Sequence, residues 1–195
     1  HSYQQYQAEF AESRQALLDA SFDQLHANRD AMVAARGLYE RNCSACHGPD
    51  GEGQASRFPN LVDDAWQWGG SVEQIDHTIR YGRQAAMPPW AAALGEDGVR
   101  EVATYVQSMA KIAGEAHPGR IKYTQFCVAC HGPNGEGNPA LGAPNLADDA
   151  WLYGNSLSEI SVSLTEGRNG VMPAFGNQLD DVQIRLLTAW LTRPR

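Results

Sequence analysis

The chain has no apolar run long enough to cross a membrane and no cluster of basic residues. Spanning a bilayer takes about 18 to 20 consecutive apolar residues, and no window of the 195 residues approaches that length. The 15 lysines and arginines are scattered and the formal net charge is −8, whereas nucleic acid binding needs a clustered basic surface. We therefore expect no nucleic acid partner, and an acidic surface suited either to solubility or to a basic protein partner.

Cysteine is also scarce, and its four copies form two CxxC pairs that are each followed directly by histidine. Paired cysteines of this kind occur in disulfides, zinc sites, thioredoxin-like redox sites and heme attachment sites. Neither zinc nor redox chemistry requires histidine next to both pairs. In CxxCH, two thiols reach the two vinyl groups of one porphyrin and the histidine falls beneath the iron. The sequence predicts two covalently bound heme c groups, attached through Cys43, Cys46, Cys127 and Cys130, with His47 and His131 as the proximal iron ligands.

The chain from about residue 35 is one unit repeated twice, with a period of 84 to 85 residues. No stretch alternates long enough to predict a convincing strand, so we expect an all-α protein. We assign residues 30–112 to a first cytochrome c domain and residues 113–195 to a second. Residues 1–29 form an N-terminal helical extension, which we expect to pack on the first heme domain or, alternatively, on a partner.

Each repeat has one methionine in an irregular MetPro segment, 40 or 41 residues after the histidine. A thioether opposite imidazole raises the reduction potential and suits an electron carrier. We predict that Met87 and Met172 are the sixth iron ligands, although methionine can also simply fill a core. His77 lies ten residues before Met87 and has Val162 as its counterpart, so a bis-histidine first heme is an alternative.

Other residues that recur in both repeats indicate how a heme would be held. Two prolines resemble the residue whose carbonyl supports the proximal imidazole, although a simple turn is the alternative. Tryptophans and arginines could donate to heme propionates, whose buried charge needs partners. The predicted cofactor contacts of this kind are Pro59, Pro144, Trp66, Trp151, Arg83 and Arg168.

Longer strings around these positions resemble one family. In the first repeat they are CSACHGPDGEG, FPNLVDDAWQWGGS and YGRQAAMPPW; in the second they are CVACHGPNGEGNPALGAPNL, DDAWLYGNS and EGRNGVMPAFG. The chain from about Arg36 onward is similar to the soluble part of CcoP (FixP), the diheme subunit of cbb(3)-type cytochrome c oxidases. The resemblance implies two tandem class I cytochrome c domains with the axial pairs His47 with Met87 and His131 with Met172.

The resemblance also implies a place in respiration. The family passes electrons from soluble donor c-type cytochromes toward the monoheme subunit and the catalytic subunit of the oxidase, and has no catalytic site of its own. It works at the periplasmic face of the bacterial inner membrane, and we expect its anchoring segment to be absent from this chain, which begins at His1. A free periplasmic diheme shuttle and a diheme peroxidase are the alternatives, and the paired MetPro segments disfavour the peroxidase.

Overall fold

The computed structural model describes residues 3–109 and 117–194. It is mostly helical, which confirms the predicted all-α class. The expected boundary between the repeats, at residues 112 and 113, lies outside the described residues. The helices are α1 (Tyr3–Asp19), α2 (Phe22–Ala27), α3 (Arg29–Asn42), α4 (Ser44–His47), α5 (Val72–Tyr81), α6 (Ala91–Ser108), α7 (Pro118–Phe126), α8 (Val128–His131), α9 (Leu157–Glu166) and α10 (Asp181–Leu191), and the strands are β1 (Arg83–Met87) and β2 (Arg168–Met172).

Polar caps fix where the helices after each heme-attachment turn begin. The hydroxyls of Ser71 and Ser156 accept a hydrogen bond from the backbone N–H three residues on, at 3.2 and 3.3 Å. The side chain at that third position bonds back to the cap N–H, which completes a capping box in both helices. Gly82 and Gly167 then end α5 and α9 with φ angles of +69° and +72°.

The last helix of each repeat packs against the other repeat. Helix α10, from the second repeat, lies against α3 and α5 of the first, and α6, from the first repeat, lies against α7 and α9 of the second. The first core therefore combines residues such as Ile79 and Leu187, and the second core combines residues such as Val102 and Ile160. The repeat units remain a prediction from the sequence, and each packed core draws on both of them.

We call α6 and α10 the exchanged helices, because each packs on the other repeat. Aromatic contacts join each exchanged helix to the helix that precedes CxxCH. Trp190 of α10 stacks on Tyr39 of α3, with ring centroids 4.1 Å apart. Tyr105 of α6 packs on Tyr123 of α7 at 5.4 Å. Tyr39 and Tyr123 are almost fully buried, and these are the aromatic residues that stand four positions before the first cysteine of each pair. The exchanged helices thus support the turns that carry the heme-attachment residues.

A two-stranded antiparallel ribbon crosses between the repeats. Strands β1 and β2 pair over five residues, with Arg83 opposite Met172 and Met87 opposite Arg168. The sequence analysis predicted no strand, because five residues are too few to show a period-two pattern. The ribbon is the path by which each chain segment leaves its own repeat before α6 or α10 begins.

The N-terminal extension packs on α10. Arg185 of α10 donates from Nε to the carbonyl of Leu17 at 3.1 Å and also donates to the carbonyl of Ala20. Its guanidinium lies 4.6 Å from the centroid of the Phe22 ring, and Leu25 is completely buried in the first core. The extension therefore covers the side of the first core that α10 forms.

Candidate heme-attachment sites

Each CxxCH sequence forms one helical turn directly after a longer helix. The N–H of Cys43 donates to the carbonyl of Tyr39 at 2.8 Å, and the N–H of His47 donates to the carbonyl of Cys43 at 2.9 Å. The second repeat has the same bonds, from Cys127 N to Tyr123 O at 2.8 Å and from His131 N to Cys127 O at 2.9 Å. Two thiols and one imidazole are thereby gathered within a single turn in both repeats.

The two imidazoles are oriented by proline carbonyls. His47 Nδ1 lies 3.0 Å from the carbonyl oxygen of Pro59, and His131 Nδ1 lies 3.0 Å from that of Pro144. Because a carbonyl can only accept, Nδ1 must carry the hydrogen, which leaves the lone pair of Nε2 free for a metal. The contact that the sequence suggested for each proline is present, and it fixes both the ring orientation and the tautomer.

The protonation of the side chains fits covalent heme attachment. Burial lowers the pKa of His47 and His131, and the proline carbonyls oppose this shift, so both rings are neutral and able to bind iron. Burial raises the pKa of Cys43 to about 11 and that of Cys127 to about 11, helped by the second cysteine of each pair. Cys46 and Cys130 are exposed, and all four thiols are unpaired. Each turn thus offers two unpaired thiols, one of them exposed, and one free ring nitrogen.

The two methionines lie at opposite ends of the β1–β2 ribbon. Met87 is opposite Arg168 and packs against the second core, and Met172 is opposite Arg83. Directly opposite residues of an antiparallel pair have Cα atoms about 4.5–5.5 Å apart, with side chains on the same face. Each methionine therefore lies beside the arginine of the other repeat. The axial pairing within one repeat that the family resemblance implied stays a prediction.

Each of these arginines is held by a hydroxyl and by an aromatic ring. Arg83 Nε donates to Thr78 Oγ1 at 2.8 Å, and its guanidinium lies 4.7 Å from the centroid of the Trp68 ring. Arg168 is held in the same way by Ser163, at 3.0 Å, and by the Tyr153 ring, at 4.3 Å. Trp68 and Tyr153 were not predicted from the sequence, although both follow the recurring tryptophan by two positions and could have been found from the repeat.

The recurring tryptophans pack against the two cores, and the indole N–H of one of them has a partner in the protein. The indole N–H of Trp151 donates to the backbone carbonyl of Asp148 at 2.9 Å. Trp66 packs against the first core, and Trp151 packs against the second. The indole N–H of Trp151 is thus bonded within its own loop, and the propionate contacts expected of Trp66 and Trp151 stay predictions.

His77 lies on the exposed side of α5. Its ring packs against the ring of Tyr81, with centroids 4.7 Å apart, and Tyr81 is itself 65% exposed. Because Ile75 and Ile79 form the buried face of the same helix, His77 points away from the first core. The bis-histidine alternative for the first heme stays a prediction, with the His77 ring outside the first core.

Two properties of the described residues concern metal binding and membrane insertion. Within residues 3–109 and 117–194, no three or more histidine, cysteine and acidic side chains gather as a metal-binding cluster. In the same part of the chain, no helix has the length and apolar character that a membrane span requires.

Helices assembled around two CxxCH turns, each with an imidazole presented for iron, define a c-type cytochrome. Residues 30–106 and 114–191 match the family described as cytochrome c oxidase, cbb3-type, subunit III. The chain belongs to this family, and membership implies covalently bound heme c.

Similarity to individual proteins covers most of this chain. It is 40% identical over 177 residues to the cbb3-type cytochrome c oxidase subunit FixP of Bradyrhizobium sp. (strain ORS 278), covering 83% of this chain and 61% of that protein. It is 36% identical to FixP of Azorhizobium caulinodans, covering 93% of this chain and 67% of the relative. It is also 36% identical to subunit CcoP of Azospirillum brasilense, covering 90% and 68%. The chain thus spans about two thirds or less of the length of these relatives.

Proposed function

We propose that this chain holds two heme c groups and carries electrons within a cbb3-type oxidase. It accepts electrons from soluble donor c-type cytochromes and passes them toward the monoheme and catalytic subunits, at the periplasmic face of the bacterial inner membrane. The support for this assignment is the family match and the similarity to the FixP and CcoP subunits of cbb3-type oxidases. The acidic net charge of −8 would favour encounter with basic donors.

The observation that carries the proposal is the duplication of one complete attachment turn. Both turns have two unpaired thiols, a histidine with Nδ1 bonded to a proline carbonyl at 3.0 Å, and a buried tyrosine one helical turn earlier. A single such turn would predict one heme. Two of them, each with its own methionine available on the ribbon, predict a pair of six-coordinate hemes.

We further propose that the axial methionines are exchanged between the repeats. His47 would be paired with Met172, and His131 with Met87. The support is the ribbon register, in which Met172 lies opposite Arg83 at the end of α5, together with the packing of Met87 on the second core. Phe175, three residues after Met172, packs against the first core. The segment that carries Met172 is therefore held beside the core that contains the His47 turn.

When bound, heme c supplies one-electron exchange at its iron without bond making or breaking on a substrate. The chain's own residues then do three things. The cysteines tether the group, and the proline carbonyls hold the histidine Nδ1 proton and so keep Nε2 basic. The methionine thioethers favour ferrous iron and raise the potential. Arg83 and Arg168, fixed by hydroxyls and aromatic rings, would supply the positive charge that pairs with the heme propionates.

The two-heme proposal is tested by a redox titration of the purified holoprotein followed by optical and EPR spectroscopy. We expect two one-electron steps, two low-spin hemes and a weak far-red sulfur-to-iron band from both. A heme-to-chain ratio of one would contradict the proposal, and efficient turnover of peroxide would indicate a diheme peroxidase instead.

The exchanged pairing is tested in a full-length chain that attaches only one heme. In a Cys43→Ala, Cys46→Ala background, the remaining heme is bound by His131. Adding Met87→Ala should abolish the far-red band, whereas Met172→Ala should leave it. The opposite result would restore the pairing within one repeat, and the matched Cys127→Ala, Cys130→Ala background gives the reciprocal control.

A further inference from the structure

The glycines that end α5 and α9 make close backbone contacts with the methionine segment of the opposite repeat. A Cβ atom placed on Gly82 would overlap the carbonyl oxygen of Met172 and lie 2.8 Å from the nitrogen of Ala174. A Cβ atom on Gly167 would overlap the carbonyl oxygen of Met87 and lie 2.9 Å from the nitrogen of Pro89. Real Cβ atoms essentially never lie this close to a backbone atom. An alanine at either glycine would therefore force one of the two backbone segments to move.

The backbone conformation reinforces the need for glycine. Gly82 has φ +69° and ψ −175°, and Gly167 has φ +72° and ψ −176°. This region of φ and ψ is essentially restricted to glycine. Both glycines are buried, whereas Ala174 and Pro89 are exposed, so the methionine segment is the side that has room to move when a Cβ atom is added.

Hydrogen bonds hold the crossing segments against the same helix ends. The N–H groups of Phe175 and Gly176 donate to the carbonyls of Ile79 and Arg80, both at 3.0 Å. On the other side, the N–H of Trp90 donates to the carbonyl of Leu164 at 2.7 Å. Each methionine is therefore followed, within three or four residues, by a bond to the helix that the opposite glycine ends.

We propose that Gly82 is a positioning residue for Met172, and Gly167 for Met87, so that each glycine sets the iron–sulfur bond made by the methionine of the other repeat. The inference rests on the proposed function in one respect, that Met87 and Met172 are axial ligands. It predicts an effect across the ribbon, through the close approach of two backbones. The obvious alternative is an effect along the strand, in which Gly82 disturbs Met87, five residues further on in its own chain.

Two backgrounds separate these effects in the full-length holoprotein. Met87→His leaves Met172 as the source of the far-red sulfur-to-iron band, and Met172→His leaves Met87. Gly82→Ala should weaken the band in the Met87→His background and leave it unchanged in the Met172→His background. In the first background, ferric protein should also bind added imidazole about tenfold more tightly or better, since a tenfold change in affinity corresponds to about 1.4 kcal/mol. Gly167→Ala should show the reverse pattern.

Two glycines provide matched controls. Gly95 has nearly the same conformation, with φ +68° and ψ 172°, but an added Cβ there would meet nothing within 4 Å. Gly95→Ala should therefore carry the same backbone strain and leave both bands and the imidazole affinities unchanged. Gly170 lies inside the ribbon and also has open space around it. Gly170→Ala therefore tests whether any methyl group added to the ribbon is enough to weaken the far-red band.

A second variant keeps the test available if Gly82→Ala protein does not fold. A Cβ on Gly176 would lie 2.8 Å from the carbonyl oxygen of Arg80, and Gly176 has no positive φ angle. Gly176→Ala should push the same segment away from α5 and weaken the Met172 band alone. The inference is overturned if Gly82→Ala or Gly176→Ala weakens the Met87 band instead, or if Gly95→Ala reproduces the effect. If Met87→His and Met172→His both leave the full band, the axial-ligand assignment fails instead.

Discussion

Replacing Trp190 with alanine should loosen the first repeat, although Trp190 belongs to the second. Its side chain is 5% exposed and stacks on Tyr39 at 4.1 Å. Truncating a buried tryptophan to alanine costs about 3–5 kcal/mol. Since each 1.4 kcal/mol is a factor of ten, amide hydrogens that exchange through opening of this core should exchange about 10² to 4 × 10³ times faster.

Hydrogen exchange read by mass spectrometry on the holoprotein shows which helices respond. Peptides from α3 and α5 should lose protection in Trp190→Ala, because α10 packs on those helices. Tyr105→Ala is the matched control in the other exchanged helix, and it should expose α7 and α9 instead. If Trp190→Ala accelerates exchange in α7 and α9 while α3 and α5 stay protected, the exchange of helices is refuted.

Three further perturbations test individual contacts. Hydrogen bonds from Ser156 hold the pKa of Glu159 below its usual value. The charged carboxylate therefore stabilises the fold at pH values above the usual pKa of glutamate, and this stabilisation is lost as the pH falls through the lowered pKa. The thermal unfolding temperature of Glu159→Gln should lack this part of the loss of stability in acid. Arg185→Ala removes the bonds from α10 to the extension and should speed limited proteolysis before residue 29 while the far-red bands remain. Tyr39→Phe removes the donor to the Gly48 carbonyl at 2.8 Å and should lower the free energy of unfolding by about 1–3 kcal/mol in urea titration; an unchanged midpoint would contradict this.

The sequence was sufficient for local features whose chemistry lies in adjacent residues. CxxCH fixes thiols and imidazole within one turn, and the caps at Ser71 and Ser156 follow from a short motif. The exchange of helices could not be predicted, because α6 and α10 present equivalent apolar faces, with Val102 matching Leu187 and Tyr105 matching Trp190. Hydrophobic periodicity shows that one face of a helix is buried. It does not distinguish between the equivalent helices of the two repeats as the packing partner.

The indole of Trp151 illustrates a second limit. A tryptophan that recurs beside a cofactor motif suggests a polar role, yet its N–H finds the carbonyl of Asp148 three residues earlier. Conversely, Trp68 and Tyr153 gain their importance from the distant arginines that lie over their rings. Such contacts depend on how the loop folds back on the helix end, which no local pattern reports.

The central claim, that each heme takes its methionine from the opposite repeat, is tested most directly by NMR of the fully reduced two-heme protein. The ε-methyl groups of Met87 and Met172 are assigned by selective labelling, and each heme is identified by its thioether links to Cys43 and Cys46 or to Cys127 and Cys130. We predict nuclear Overhauser contacts between the Met172 methyl group and the heme on Cys43 and Cys46, and between the Met87 methyl group and the other heme. Contacts of Met87 with the heme on Cys43 and Cys46 would contradict the claim.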